Sequence, residues 1–270
     1  MDWKKVLPLG EVDADFSQAR EIRLRPGQRM CACFPWGLWQ GDHPLSPEEI
    51  RCAAQALSGH ALAARREEMA RGYLPLPGGH RLGIAGVMGE GGLKEISSLC
   101  LRIAHEVKGC GEEIFPRIKG RHTLIIGPPG TGKTTLLRDL IRLYSLSGFQ
   151  TGVSDERGEI AGAEGGQYHL DVGPNTDVVT GMEKEKAVQL LVRGMAPQVI
   201  AVDELGGAGD GAALMDAARC GAVVLATVHG RDRKSASGRL GMQLARGIFE
   251  KAVILEKIGQ SPKVEDWVCG

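Results

Sequence analysis

A glycine-rich segment in the middle of the chain most constrains how the chain can fold. Residues 127–134 read Gly-Pro-Pro-Gly-Thr-Gly-Lys-Thr, which is the full pattern of a phosphate-binding loop. A short apolar stretch, 123–126, precedes this P-loop, and a helix-forming stretch, 135–141, follows it. The glycines let backbone N–H groups turn inward, and the N-terminus of the following helix adds the positive end of its dipole. The pattern predicts a strand–loop–helix unit that binds ATP or GTP.

Each position of the motif has an expected part in binding. Lys133 is expected to reach the β- and γ-phosphates, and the hydroxyl of Thr134 to bind Mg²⁺. ATP and Mg²⁺ are therefore the predicted cofactors. The alternative is a chance glycine-rich turn, or a degenerate loop that no longer binds. The predicted nucleotide-binding residues are Gly127, Pro128, Pro129, Gly130, Thr131, Gly132, Lys133, Thr134 and Thr135.

A second motif follows further along the chain. Residues 199–204 are four apolar residues followed by Asp203 and Glu204, the pattern of a Walker B strand. A buried parallel strand would deliver these acids at its carboxyl end, where sheets of this class bind their ligands. We expect Asp203 to hold Mg²⁺ through water and Glu204 to orient the attacking water. As an isolated string this pattern is common, and the alternative is that these acids are merely solvated at a strand end.

Two more strand ends carry polar groups. The segment 154–159 contains three acids, including Glu156, and is either a solvated turn or a second carboxylate group that faces the γ-phosphate. The apolar stretch 222–228 leads to His229. A lone histidine is more often structural than catalytic. At this strand end, however, Thr227 and His229 would lie near the γ-phosphate and could report its presence.

The two halves of the chain have different patterns. After about residue 109, short apolar stretches alternate with helical ones, which predicts a parallel sheet buried on both faces. Before that point, the pattern indicates a small α+β unit with a helix capped by Ser46 and Pro47. The predicted domains are residues 1–108 and 109–270. Predicted strands lie at 21–25, 29–34, 81–88, 123–126, 151–155, 199–203, 222–227 and 252–256, and predicted helices at 47–57, 60–70, 133–147, 185–195, 209–220 and 234–245, with a long loop at 158–181.

Composition weighs against several classes of function. Lys plus Arg and Asp plus Glu both number 33, so net charge gives no support for nucleic-acid binding. Apolar stretches stay below the ~18 residues needed to span a bilayer, and the N-terminus lacks the apolar segment of a signal peptide. Seven scattered cysteines indicate reduced thiols. We therefore expect a cytoplasmic protein with no direct membrane insertion and no nucleic-acid partner.

These motifs, in this order, resemble the secretion-ATPase superfamily, which includes the hexameric motors of type II and type IV secretion and of pilus retraction. Further segments resemble its sporulation branch, the stage III AA family, whose members are the ATPases of the channel between mother cell and forespore. The segments that carry this closer match are Glu-Ile-Arg-Leu-Arg-Pro-Gly at 21–27, Gly-His-Arg-Leu-Gly-Ile-Ala-Gly at 79–86, Leu-Arg-Ile-Ala at 101–104, Asp-Glu-Arg-Gly-Glu-Ile-Ala-Gly at 155–162 and Gly-Pro-Asn-Thr-Asp-Val at 173–178.

The resemblance implies a fold and several partners. The implied fold class is α/β, a RecA-like P-loop NTPase core with a parallel-rich sheet, preceded by a small α+β N-terminal domain. It also implies a homo-oligomer, a hexamer, that sits in the mother-cell cytoplasm and binds a membrane-embedded sporulation channel protein. Arg81 and Arg102 correspond to N-domain arginines that reach nucleotide phosphates, within a subunit or from its neighbour. The alternative for each is an ordinary surface arginine.

Two questions stay open at this stage. Pilus motors often have Gly-Glu in the Walker B motif where this chain has Asp203-Glu204, so either Glu156 or Glu204 is the acid that activates water. The function also has rivals. A RecA-like core serves nucleic-acid motors and loaders as well as secretion motors. A nucleotide-gated scaffold with little hydrolysis is the third alternative.

Overall fold

The computed structural model describes residues 6–8, 15–60, 62, 72–89, 92–163, 166–206, 209–240, 247–257 and 259–267. The chain divides into two compact units, Met1–His105 and Glu106–Gly270. The sequence placed this boundary after residue 108. Within the described residues, no helix is long and apolar enough to cross a membrane. The predicted helix at 60–70 lies almost entirely outside the described residues.

The first unit is built on an antiparallel sheet, whose described strands run in the order β3-β2-β1-β6-β5-β4. One face packs on a core that includes Ile22, Leu82 and Leu101, all fully buried. Side chains alternate along each strand, so the neighbouring positions form the opposite, polar face. The strands are β1 (Glu21–Leu24), β2 (Arg29–Phe34), β3 (Gly37–Pro44), β4 (Leu74–Leu76), β5 (His80–Gly89) and β6 (Gly92–Arg102).

The helix of this unit, α1 (Pro47–Leu57), begins where the sequence predicts. The Ser46 hydroxyl accepts a hydrogen bond from the backbone N–H of Glu49 at 3.2 Å. In return, Oε2 of Glu49 accepts the backbone N–H of Ser46 at 2.8 Å. This reciprocal capping box satisfies two backbone donors that the first helical turn leaves free.

The second unit has a sheet whose described strands run in the order β13-β12-β7-β11-β10-β8-β9, parallel except for the pair β12–β13. The predicted RecA-like class, with a parallel-rich sheet after a small α+β unit, is confirmed. The elements are α2 (Phe115–Ile118), β7 (Thr123–Gly127), α3 (Lys133–Leu146), β8 (Thr151–Asp155), β9 (Thr176–Thr180), α4 (Lys184–Met195), β10 (Val199–Leu205), α5 (Asp210–Arg219), β11 (Val223–His229), α6 (Arg233–Leu240), β12 (Lys251–Ile254) and β13 (Lys263–Asp266).

Apolar clusters cover both faces of this second sheet. Leu124 and Ile126 point into one cluster, while Ile125 points into the other. Every residue of β7 and of β8 is buried. Burial on both faces explains the apolar run of β7 in the sequence, whereas β8 is equally buried although Val153 is its one large apolar residue.

Some sequence predictions were wrong. The segment 158–181 was predicted as a loop, but β9 lies within it and pairs with β8. Strands β3, β4, β6 and β13 were also missed. The sequence of β9, Thr-Asp-Val-Val-Thr, contains only two apolar residues, and only Thr176 of this strand is buried. The pairing with β8 supplies the backbone hydrogen bonds that the sequence pattern does not reveal.

Candidate nucleotide-binding site

The P-loop joins β7 to α3, as its motif requires. Gly132 is the N-cap of α3 and has φ of 92°, a left-handed conformation that favours glycine. Gly127 is closely packed, since a Cβ there would lie 2.5 Å from Oγ1 of Thr131 and 2.9 Å from the carbonyl oxygen of Leu255. The loop thus depends on glycine both for its turn and for its close packing.

Lys133 is held at the base of the loop with 6% of its surface exposed. Its Nζ donates to the carbonyl oxygen of Pro128 at 2.9 Å and lies 3.1 Å from Nδ1 of His229. Burial lowers the pKa of Lys133, and the charges of Asp203 and Glu204 oppose that shift. The side chain is therefore a fixed cation beside the strand end that carries the acids.

Thr134 and Asp203, the two predicted Mg²⁺ residues, are in direct contact. Oγ1 of Thr134 donates to Oδ2 of Asp203 at 2.7 Å. The other carboxylate oxygen, Oδ1, accepts a short hydrogen bond from the hydroxyl of Thr227. A hydroxyl and a carboxylate at the end of a P-loop are oxygen ligands of the type that Mg²⁺ prefers. These donors fit an Mg²⁺ ion.

Glu204 leaves the regular strand geometry. Its φ is 57°, and the pairing of β10 with β11 shifts register between Val202 and Leu205. The backbone N–H of Glu204 donates to Oγ1 of Thr227 at 2.7 Å, which holds this strained conformation in place. In this conformation the Glu204 side chain lines the cavity beside the P-loop.

Both carboxylate oxygens of Glu204 have partners. Nε2 of His229 lies 2.9 Å from Oε1, and a guanidinium nitrogen of Arg157 lies 2.5 Å from Oε2. Partial burial acts to raise the pKa of Glu204, but the hydrogen bond with His229 and the charge of Arg157 outweigh it, so the pKa is lowered. Glu204 is therefore an ionised carboxylate at neutral pH.

A cavity of about 440 Å³ brings most of these groups together. Among the P-loop predictions, Gly127, Pro128 and Thr131 do not line it; the carbonyl oxygen of Pro128 accepts from both Lys133 and Thr131. The sequence did not single out Arg157, and it included Glu159 only as one of the three acids of 154–159, although both residues follow a strand end where ligands bind. The lining residues are Pro129, Gly130, Gly132, Lys133, Thr134, Thr135, Arg157, Glu159, Asp203, Glu204, Thr227 and His229.

Glu156, the other candidate for the water-activating acid, has a different environment. Its Oε2 lies 2.7 Å from Nζ of Lys184, at the start of α4. Glu156 lines a narrow recess beside the P-loop cavity rather than that cavity itself. The geometry favours Glu204 over Glu156 for contact with a water at the terminal phosphate.

The turn that carries Glu156 and Arg157 is fixed by two charged residues. The buried carboxylate of Asp155 accepts the backbone N–H groups of Glu159, Ile160 and Ala161 at 2.8 to 3.1 Å. From α3, Arg138 donates to the carbonyl oxygens of Glu159 and Ile160, both at 2.6 Å. We call this arrangement the 155–138 clamp. It ties the turn to the helix that follows the P-loop.

Arg81 and Arg102 belong to the first unit. They stand directly opposite each other on β5 and β6. The guanidinium of Arg81 lies 4.4 Å from the ring centre of Tyr73, and Nε of Arg102 lies 3.8 Å from Oε2 of Glu21. Both arginines thus lie on the polar face of the first sheet.

A P-loop, an Asp-Glu strand end and a histidine-bearing strand on a mostly parallel sheet define a P-loop fold of the secretion-ATPase class. Solved structures with this fold include the pilus retraction motor PilT with bound ADP, at a TM-score of 0.64 and 16% identity over 97% of this chain and 79% of that one. The ATPase DotB of Legionella pneumophila gives a TM-score of 0.59 and 16% identity over 88% of this chain and 72% of that one. The chain belongs to the family described as sporulation stage III, protein AA, which matches residues 3–267.

Two relatives extend the comparison. Stage III sporulation protein AA of Bacillus subtilis is 38% identical over 196 residues, which cover 68% of this chain and 64% of that protein. The protein SEEDLING PLASTID DEVELOPMENT 1 of Arabidopsis thaliana is 24% identical over 91% of this chain. The matched parts span 64% of the Bacillus protein and 35% of the Arabidopsis protein. The chain therefore covers less than two thirds of the length of each relative.

Proposed function

We propose that this protein is an Mg²⁺-dependent ATPase of the secretion-motor type. The observation that carries the proposal is the convergence of Lys133, the Thr134–Asp203 pair and Glu204 on one cavity. A P-loop lysine, a hydroxyl–carboxylate pair and a strand-end glutamate are the groups that nucleoside triphosphate hydrolysis requires. The bound ADP of PilT belongs to that protein, but it is compatible with this assignment.

Each residue has a proposed role. Lys133 binds the β- and γ-phosphates, and Glu204 orients the water that attacks the γ-phosphate. Thr134 and Asp203 hold Mg²⁺, which when bound supplies positive charge to the phosphate oxygens. His229 contacts both Lys133 and Glu204. A displacement of Lys133 on phosphate binding can therefore shift the Glu204 carboxylate through His229.

The biological role follows from the family. We propose that the protein acts in the mother-cell cytoplasm during sporulation, as a homohexamer that binds a membrane-embedded channel protein and energises or assembles the channel between mother cell and forespore. Membership of the sporulation stage III AA family supports the sporulation role. Light scattering with and without ATP and Mg²⁺ tests the hexamer. A monomeric mass under every condition would contradict it.

The enzymatic proposal is tested by measuring phosphate release from ATP with Mg²⁺ and with a chelator. Lys133→Ala should abolish both nucleotide binding and turnover, because it removes the cation fixed in the P-loop. Lys257→Ala removes an exposed lysine outside the cavity and serves as the matched control. Turnover that requires single-stranded DNA would instead favour a nucleic-acid motor. Nucleotide binding without turnover would favour a gated scaffold.

A further inference from the structure

Arg157 lines the cavity and forms an ion pair with Glu204. A nitrogen of its guanidinium is 2.5 Å from Oε2 of Glu204, and 57% of the Arg157 side chain is exposed. The same carboxylate is bonded to His229 through Oε1. A glutamate with both oxygens engaged in this way is poorly placed to accept a proton from water. The arrangement is therefore that of a restrained acid.

The backbone beneath Arg157 is fixed even though its side chain is exposed. The 155–138 clamp holds the main chain just beyond Arg157 through three N–H groups and two carbonyl oxygens. Because Arg138 lies on α3, the position of this turn is set relative to the P-loop helix. The guanidinium can thus change partners within the cavity without any movement of the loop.

A terminal phosphate would compete with Glu204 for this arginine. The γ-phosphate of a nucleoside triphosphate carries more negative charge than a carboxylate, and the planar guanidinium matches phosphate oxygens as a fork. Arg157 and Lys133 line the same cavity, so a phosphate held by Lys133 is available to both cations. A nucleoside diphosphate lacks the group that would draw Arg157 away.

We propose that Arg157 is a catalytic arginine supplied from within the subunit, which leaves Glu204 for the terminal phosphate when a triphosphate binds. The exchange releases Oε2 of Glu204 to orient water and places a positive charge where negative charge builds in the transition state. The acid is restrained while the cavity is empty or holds a diphosphate. This inference rests on the proposed ATPase function.

The test compares two ligands, ADP and a non-hydrolysable ATP analogue, both with Mg²⁺, by titration calorimetry. Arg157→Ala should weaken binding of the analogue by about 10-fold or more, because a charge-assisted hydrogen bond is lost, and leave ADP affinity unchanged. Turnover should fall by more than the analogue affinity does, since transition-state charge is greater. Arg219→Ala, on the exposed surface of α5, is the matched control. Arg157→Lys keeps the positive charge but not the planar pair of donors. Its affinity for the analogue should lie between those of the unmodified protein and Arg157→Ala.

A second variant tests the exchange itself. Glu204→Gln weakens the competing ion pair, so it should tighten binding of the analogue, and adding Arg157→Ala should remove that gain. Unchanged analogue affinity in Arg157→Ala would overturn the inference and leave Arg157 as a structural partner of Glu204. An equal loss for both ligands would also overturn it. If the unmodified protein binds neither ligand, the proposed function fails, and this inference with it.

Discussion

Arg81 on β5 faces Arg102 on β6 across a directly paired position of the first sheet. Like charges placed directly opposite each other destabilise a sheet. Glu21 stands on the other side of Arg102, and the ring of Tyr73 lies against Arg81, so each charge is partly compensated. A pair of facing arginines is thus maintained on one polar face at some cost in stability.

We predict that these arginines act on nucleotide phosphates rather than on stability. Arg81→Ala or Arg102→Ala should lower ATP turnover by ~10³-fold, the scale of an arginine at a transferred phosphoryl group. The melting temperature should stay the same or rise, because either change relieves the repulsion. Arg29→Ala, an exposed arginine on β2, is the control. Full turnover in both variants would contradict this prediction and leave Arg81 and Arg102 as ordinary surface arginines.

The location of their target can be found by mixing variants. If the arginines act on the neighbouring subunit, inactive Arg102→Ala and Lys133→Ala proteins should regain some turnover when combined. Certain interfaces would then join an intact arginine to an intact P-loop. Recovery that does not depend on mixing ratio would argue against a shared site.

The second prediction concerns the acid that activates water. Glu204→Gln should keep nucleotide and Mg²⁺ binding but lower turnover by ~10²-fold or more, because it removes the carboxylate that orients water. Glu156→Gln should have a far smaller effect, since Glu156 is paired with Lys184 outside the P-loop cavity. Single-turnover phosphate release with saturating ATP separates these outcomes. Normal hydrolysis by Glu204→Gln together with loss in Glu156→Gln would reverse the assignment.

The sequence predicted the parts of this site that lie at the ends of buried strands. Asp203, Glu204 and His229 follow apolar runs, and parallel strands deliver their carboxyl ends to one edge of a sheet. It could not predict that Glu204 pairs with Arg157, because that contact depends on a register shift in β10 and on the fixed path of another turn. Periodicity records burial, whereas ion pairs across a cavity depend on tertiary geometry.

The third prediction concerns Thr227, which lines the P-loop cavity. Its buried hydroxyl accepts from the N–H of Glu204 and donates to Asp203. Thr227→Val should leave both groups without this partner and cost roughly 1 to 3 kcal/mol of stability. We expect a higher Mg²⁺ requirement for turnover, measured by titrating Mg²⁺ at fixed ATP. Thr227→Ser retains the hydroxyl and should behave like the unmodified protein.

The fourth prediction is a pH dependence in the first unit. Hydrogen bonds from the Ser46 N–H, from His43 and from the Ser46 hydroxyl lower the pKa of Glu49 to about 2, from an ordinary 4.5. A carboxyl whose pKa is lower in the folded state stabilises the fold above pH 4.5 and loses that effect as the pH falls toward 2.

The measurement is hydrogen exchange of peptides that cover α1. Glu49→Gln should reduce protection at neutral pH by the equivalent of about 1 kcal/mol, the scale of a helix cap. The difference from the unmodified protein should shrink across the interval from pH 4.5 to 2. Asp42→Asn, at an exposed position of β3 outside the capping box, is the control. A difference that does not vary with pH would contradict the assignment.

The 155–138 clamp holds main-chain atoms of the turn. Three amide groups donate to Asp155, and two carbonyl oxygens accept from Arg138. The backbone conformation of the turn is therefore fixed by one strand residue, Asp155, and one helix residue, Arg138. Exposed side chains of the turn, such as Arg157, can be substituted without a change in this backbone conformation. Substitution of a side chain on this turn can therefore alter the chemistry of the cavity while the backbone around the cavity stays the same.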